Sequence, residues 1–193
     1  MKISLRTAIL PLALTIATPA FAEGLPDKAG PERTVAMFNT FCFARMPDIE
    51  SIEKIAAAGE FTELQGDDLK PYQPPVPAEK LRVWKYKDFD KEYSLTISQS
   101  VPDEEFKKAV PDFADSKSFA CSLVLPATDP KEELLQGVEK VLERKPDESY
   151  EEGPFNVHTW SGLSDTLMVH VYYYAPAKGK AGGLMSTVTF VKN

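Results

Sequence analysis

The sequence predicts an α+β fold: a mainly antiparallel sheet of about six strands packed with three main helices. Three observations carry this expectation. Three segments repeat apolar residues at helical spacing. Several segments after residue 80 alternate apolar and polar residues with period two. Most of these strand-like segments are joined by loops too short for a parallel crossover, which disfavours a purely parallel nucleotide-binding fold.

The chain opens with MKISLRTAILPLALTIATPAFA, which reads as a cleavable secretory signal over residues 1–22. Lys2 and Arg6 form a positive start, residues 9–17 an apolar run, and Ala20-Phe21-Ala22 a small-residue cleavage box. That run is short of the about 20 apolar residues a membrane span needs. No cysteine stands at the cleavage point, so no lipid attachment or stable membrane insertion is expected. Residues 23–193 are then expected as a single α+β domain in the periplasm or outside the cell.

Residues 23–31 form an entry loop. A helix is predicted over 32–45, where Val35, Phe38, Phe41, Cys42 and Arg45 recur at helical spacing. Pro47 separates it from a second helix, capped by Asp48, with Ile49, Ile52, Ile55 and Ala56 on one face and Gly59 at its end. Residues 60–80 show little pattern, and the four prolines of KPYQPPVPAEK predict a stiff extended crossing. LRVWKYK (81–87) and YSLTISQ (93–99) alternate and form a hairpin. Ser100 opens a short helical segment with Asp103 as an approximate capping-box acid, and Pro111 stops it. SFACSLVLP (118–126) follows as a strand with Phe119, Cys121, Leu123 and Leu125 on one face. The clearest helix spans 130–144. Asp129 is its expected N-cap, Pro130 its first residue and Glu132 its capping-box acid. Leu134, Leu135, Val138, Val141 and Leu142 form its apolar stripe, and Pro146 ends it. An exposed acidic loop is expected over 146–153, then strands over 154–160, 166–174 and 183–191.

Cys42 and Cys121 fall on apolar faces by two independent periodicities. In an exported chain they are expected to form a disulfide. No Cys-x-x-Cys occurs, so a redox enzyme is disfavoured. The full chain has 22 basic and 29 acidic residues; without Lys2 and Arg6 the net charge falls from −7 to −9. Such a field disfavours nucleic acid and anionic membranes and favours cationic partners, besides aiding solubility.

The search for chemistry gives no catalytic, cofactor-binding or metal site. His158 and His170 are the two histidines and belong to no metal-ligand spacing. Asp88, Asp90 and Glu92 are spaced like a cation loop but lack the other ligands, and read as solvated turn acids. No Gly-x-Ser-x-Gly elbow occurs. Gly179, Gly182 and Gly183 follow no phosphate-binding fingerprint. One constellation has a geometric argument. Pairing Trp160 with Thr166 would put His158, Trp160, His170, Tyr172 and Tyr174 on one sheet face as a ligand-binding surface, with Phe155, Val157, Leu167, Val169, Val171 and Tyr173 on the other.

FNTFCFARM (38–46), SLTISQSVPDEEF (94–106) and SFACSLVLP (118–126), behind an export leader, resemble small secreted or lipoprotein families of Gram-negative bacteria. The resemblance extends over most of the mature chain. It implies export and brings no activity or catalytic residue. A lipoprotein would carry a cysteine at the processing site, which this leader lacks. The expected function is a non-enzymatic periplasmic protein binding a macromolecule or a small ligand, without a cofactor. Two alternatives are a small hydrolase using His158 or His170, and an acidic inhibitor or immunity-type protein.

Overall fold

The computed structural model describes residues 25–74 and 76–192; the predicted signal lies outside the described residues. Eight strands form one open antiparallel sheet in the order β1-β2-β3-β4-β8-β7-β6-β5. They are β1 (Phe61–Glu63), β2 (Lys80–Asp88), β3 (Lys91–Ser100), β4 (Lys117–Pro130), β5 (Glu148–Glu152), β6 (Phe155–Leu163), β7 (Leu167–Pro176) and β8 (Ala181–Val191). The helices are α1 (Pro31–Phe38), α2 (Ile49–Ala58), a short α3 (Glu104–Ala109) and α4 (Lys131–Leu142). The α+β architecture is therefore as expected, with eight strands in place of about six.

Both additional strands lie at sheet edges. β1 has three residues and sits in the unpatterned stretch before the hairpin. β5 occupies the expected acidic loop, and all five of its residues are exposed. A strand with solvent on both faces has no reason to alternate apolar and polar residues. Its backbone pairing to β6 holds it, and that pairing leaves no trace in composition.

The three longer helices cover one face of the sheet. There Trp84, Tyr93, Leu95, Ile97, Cys121, Leu123, Met185, Val171, Tyr173 and Trp160 are buried against Val35, Phe38, Phe41, Ile52, Leu134 and Val138. Burying side chains of this size contributes roughly 1.5–3 kcal/mol each, so this layer is the main source of stability. The first predicted helix is α1 continued by a π-helical turn over Asn39–Phe43, which buries both Phe41 and Cys42. Asp48 caps α2 as expected, accepting the Ser51 amide. α1 and α4 approach closely at Gly137, where a Cβ would lie 2.8 Å from Val35 Cγ2. Cys42 and Cys121 form the expected disulfide, with Cα atoms 5.3 Å apart and both residues fully buried. It joins the π turn to the middle of the sheet.

Three local expectations are corrected. Ser100 ends β3, and Asp103 itself caps α3 by accepting the Phe106 amide at 2.7 Å. Asp129 does not cap α4; Pro130 stands at that position without a side-chain cap. Asp129 is buried, 1% exposed, and accepts from Lys91 and from the Thr34 hydroxyl. Tyr93 OH is then left to donate to Thr34 over 3.0 Å. Asp88, read as a solvated turn acid, is also buried and takes both arms of Arg33 at 2.6 and 2.7 Å. Partners this distant in sequence are invisible to local patterning. Together these pairs lock α1 to the β2–β3 hairpin and to the entry of α4.

The opposite, distal face of the sheet is covered only in part. Over β2 and β3 lies the segment whose 3-10 turns span Gly66–Tyr72, and Tyr72 OH meets Ser94 Oγ at 2.9 Å. The extended crossing expected from Lys70 onward therefore begins only after Tyr72. At one end of β8, Phe106 of α3 stacks on Phe190. Among the described residues no helix is long and apolar enough to cross a membrane.

Candidate functional site

The register of β6 with β7 decides what each sheet face presents. The observed partners are Trp160 with Val171, His158 with Tyr173, and Ser161 with His170. The expected pairing of Trp160 with Thr166 differs by five residues. An odd shift exchanges the two faces of one strand relative to the other. The anticipated shared surface of His158, Trp160, His170 and Tyr172 is therefore split. His158 and Trp160 lie on the helix-covered side with Val171 and Tyr173. His170, Tyr172 and Tyr174 lie on the distal side with Val157, Thr159 and Ser161. The cause is the turn. Ser161-Gly162-Leu163 reads as turn sequence, yet it pairs as strand, and the connection is confined to residues 164–166.

Trp160 is a core residue, 1% exposed, whose indole N–H donates to the Arg144 carbonyl at 3.2 Å. It borders a cavity of about 380 Å³ with Phe43, Leu142 and Val169. A more polar cavity of about 480 Å³ beside α2 is lined by Glu53, Glu63, Arg82 and Trp84. Its central charge is neutralised from within: Arg82 pairs with both carboxylates and sits 5.0 Å over the Trp84 ring. Those carboxylates consequently titrate below the usual range. For Glu63 the Arg82 hydrogen bond leads, whereas for Glu53 the Lys80 and Arg82 bonds overcome its desolvation.

Each histidine meets one serine. His158 Nδ1 lies 2.9 Å from Ser149 Oγ, and His170 Nδ1 lies 2.8 Å from Ser161 Oγ. Desolvation lowers both imidazole pKa values, against a weak opposing pull from Glu139 on His158. Burial thus favours the neutral form of both rings. Among the described residues neither ring hydrogen-bonds a carboxylate, so the acid that would orient a catalytic base is missing from both pairs. No group of three or more metal-ligating side chains occurs among the described residues.

The distal face of β6, β7 and β8 carries a continuous run of six rings. Phe155 meets Tyr174 edge-on at 6.0 Å, and Tyr174 stacks with Tyr172 at 5.8 Å. Tyr172 lies 6.0 Å from His170, which meets Phe190 edge-on at 6.3 Å. Phe190 stacks on Phe106 at 4.2 Å. Phe155, His170, Tyr172, Tyr174 and Phe190 are half-buried by one another and by the sheet, with open ring surface remaining. Burial pushes the Tyr174 phenol up to about 12 and raises that of Tyr172, with Glu152 and Tyr150 adding in the same direction. The rings are thus uncharged at physiological pH.

No protein-family model matches this chain, and no curated protein or solved structure matches it either.

By strand alternation, the distal positions of β5 are Glu148, Tyr150 and Glu152. Those of β6, β7 and β8 are apolar, aromatic, hydroxyl-bearing or glycine, apart from His170. Glu148 and Glu152 are therefore the only formal charges among the distal positions of these four strands. Such a surface can stack flat groups on its rings and attract cations through ring faces and carboxylates together. Tyr172 and Tyr174 were visible in the sequence as period-two aromatics. Phe155, Phe190 and Phe106 were missed, because only the strand order brings them into line.

Proposed function

We propose that this chain is an exported, non-enzymatic binding protein of the periplasm whose recognition surface is the open aromatic face of β5 to β8. The six-ring run from Phe155 to Phe106 carries the reading. Rings are costly to leave half-exposed unless something packs on them, and aromatic residues are enriched where partners bind. The export leader and the disulfide support the compartment. The test compares the wild-type protein with the Tyr172→Ser/Tyr174→Ser variant in thermal-shift and binding screens against peptides, glycans and periplasmic extract. Binding is expected in the wild type and a loss of about tenfold or more in the variant, because two contact aromatics are removed. Undiminished binding in a folded variant would move the recognition surface elsewhere. Wild-type protein that binds nothing in these screens would count against the reading itself.

The hydrolase alternative rests on one observation, the 2.8 Å contact of Ser161 with His170. Ester hydrolysis that disappears in both Ser161→Ala and His170→Ala would favour it.

A further inference from the structure

Granting the recognition surface above, we infer that its partner is a polypeptide with an extended basic segment, which adds to β5 as a further strand of the sheet. β5 is one of the two outermost strands of the sheet, paired on one side to β6 and exposed along its whole length. A strand edge presents backbone donors and acceptors ready for a peptide in extended conformation. The opposite edge, β1, has only three residues and offers much less.

The side chains of β5 choose the sequence that can pair. On the distal face they run Glu148, Tyr150, Glu152: acid, ring, acid. Cross-strand neighbours of an added strand would have Cβ atoms about 4.5–5.5 Å from them. Lysine or arginine at alternate positions would meet these carboxylates. The Tyr150 ring, 43% exposed, can carry the aliphatic stem or the cationic head. The next rings inward, Tyr172 and Tyr174, lie close enough to Glu152 and Tyr150 for their phenols to respond to both. No lysine or arginine occupies a distal position of β5 to β8 to repel such a ligand. The same carboxylates deter self-association, since a second copy pairing edge to edge would set like charges together. The edge is thus closed to its own kind and complementary to a basic strand.

The experiment uses the purified protein and labelled peptides of about nine residues, long enough for a typical strand, in which valine alternates with lysine, serine or glutamate. Fluorescence anisotropy reports affinity at low and high salt, and hydrogen exchange reports residues 148–152. The lysine peptide is expected to bind at least about tenfold tighter than the serine peptide, with the difference shrinking in salt. The glutamate peptide is expected not to bind, and exchange in β5 is expected to slow in the lysine complex. Glu148→Lys/Glu152→Lys should reverse the preference, and both positions are exposed enough to leave the fold intact. Equal binding of lysine and serine peptides, lost together in Tyr172→Ser/Tyr174→Ser, would overturn the inference and leave the recognition face standing. Lysine-peptide binding without protection of β5, or unaffected by the charge reversal, would also overturn it. So would the absence of binding by all three peptides, in which case the carboxylates serve only to protect the edge.

Discussion

Asp129 shows what a single buried carboxylate does in this protein. It is 1% exposed, holds the Lys91 ammonium and accepts from Thr34, which in turn ties to Tyr93. Removing one member of such a set leaves the other charge buried without a partner, a loss of about 3–5 kcal/mol. Asp129→Ala is therefore expected to lower the unfolding free energy by that amount in urea titrations. The joint replacement Lys91→Met/Asp129→Leu should recover much of the loss, because it removes both charges. If Asp129→Ala costs no more than an N-cap, about 1 kcal/mol, the buried pair is not what holds this corner. At this scale the sequence was only partly legible. The inward positions of Cys42 and Cys121 followed from local periodicity. The partners of Asp88 and Asp129 lie 55 and 95 residues away in Arg33 and Thr34, beyond any local pattern.

Elements are recognised from sequence when one face is buried and missed when neither is. β2, β3, β4, β7 and the three main helices each turn an apolar set inward, and all were expected. β5 buries nothing, and its existence depends on the backbone of β6. The candidate face turned on parity: β6 and β7 were both expected, but their register differed by an odd number, which separated His158 and Trp160 from His170 and Tyr172. Packing between elements makes a sharper demand at Gly137. An added methyl there would meet Val35 Cγ2 at 2.8 Å, between α1 and α4. Helix propensity favours alanine over glycine by about 1 kcal/mol, while overpacking costs about 1–3 kcal/mol. Gly137→Ala is thus expected to destabilise despite its better propensity, read as a lower urea midpoint with an unchanged slope. Gly162, where a Cβ meets nothing within 4 Å, supplies the control, and Gly162→Ala should be close to neutral. A Gly137→Ala variant more stable than the wild type would show that α1 and α4 can separate freely.

Across the whole molecule, the helix layer rests on one face of an open sheet, and the Cys42–Cys121 bridge is the one covalent cross-link between them among the described residues. The bridge spans 79 residues in sequence. Closing a loop of that length removes unfolded-state freedom equivalent to about 4–5 kcal/mol in the chain-entropy model. Domains of ordinary stability have only about 5–15 kcal/mol in total, so this one bond amounts to a large share of the margin. The proposed export then has a thermodynamic consequence beyond address. An oxidising compartment would be a condition for the fold, since a reducing cytosol would withdraw the bridge from a chain whose distal sheet face is already open. Urea unfolding of the oxidised protein, the reduced protein and Cys42→Ser/Cys121→Ser checks this. Both bridge-free forms are expected to lose about 4–5 kcal/mol, less whatever structure the unfolded chain retains. Expression without residues 1–22 in a reducing cytosol should accordingly yield less soluble protein than expression with them. Bridge-free forms as stable as the oxidised protein would show that the buried helix layer alone carries the fold, and would separate the disulfide from any argument about where the protein works.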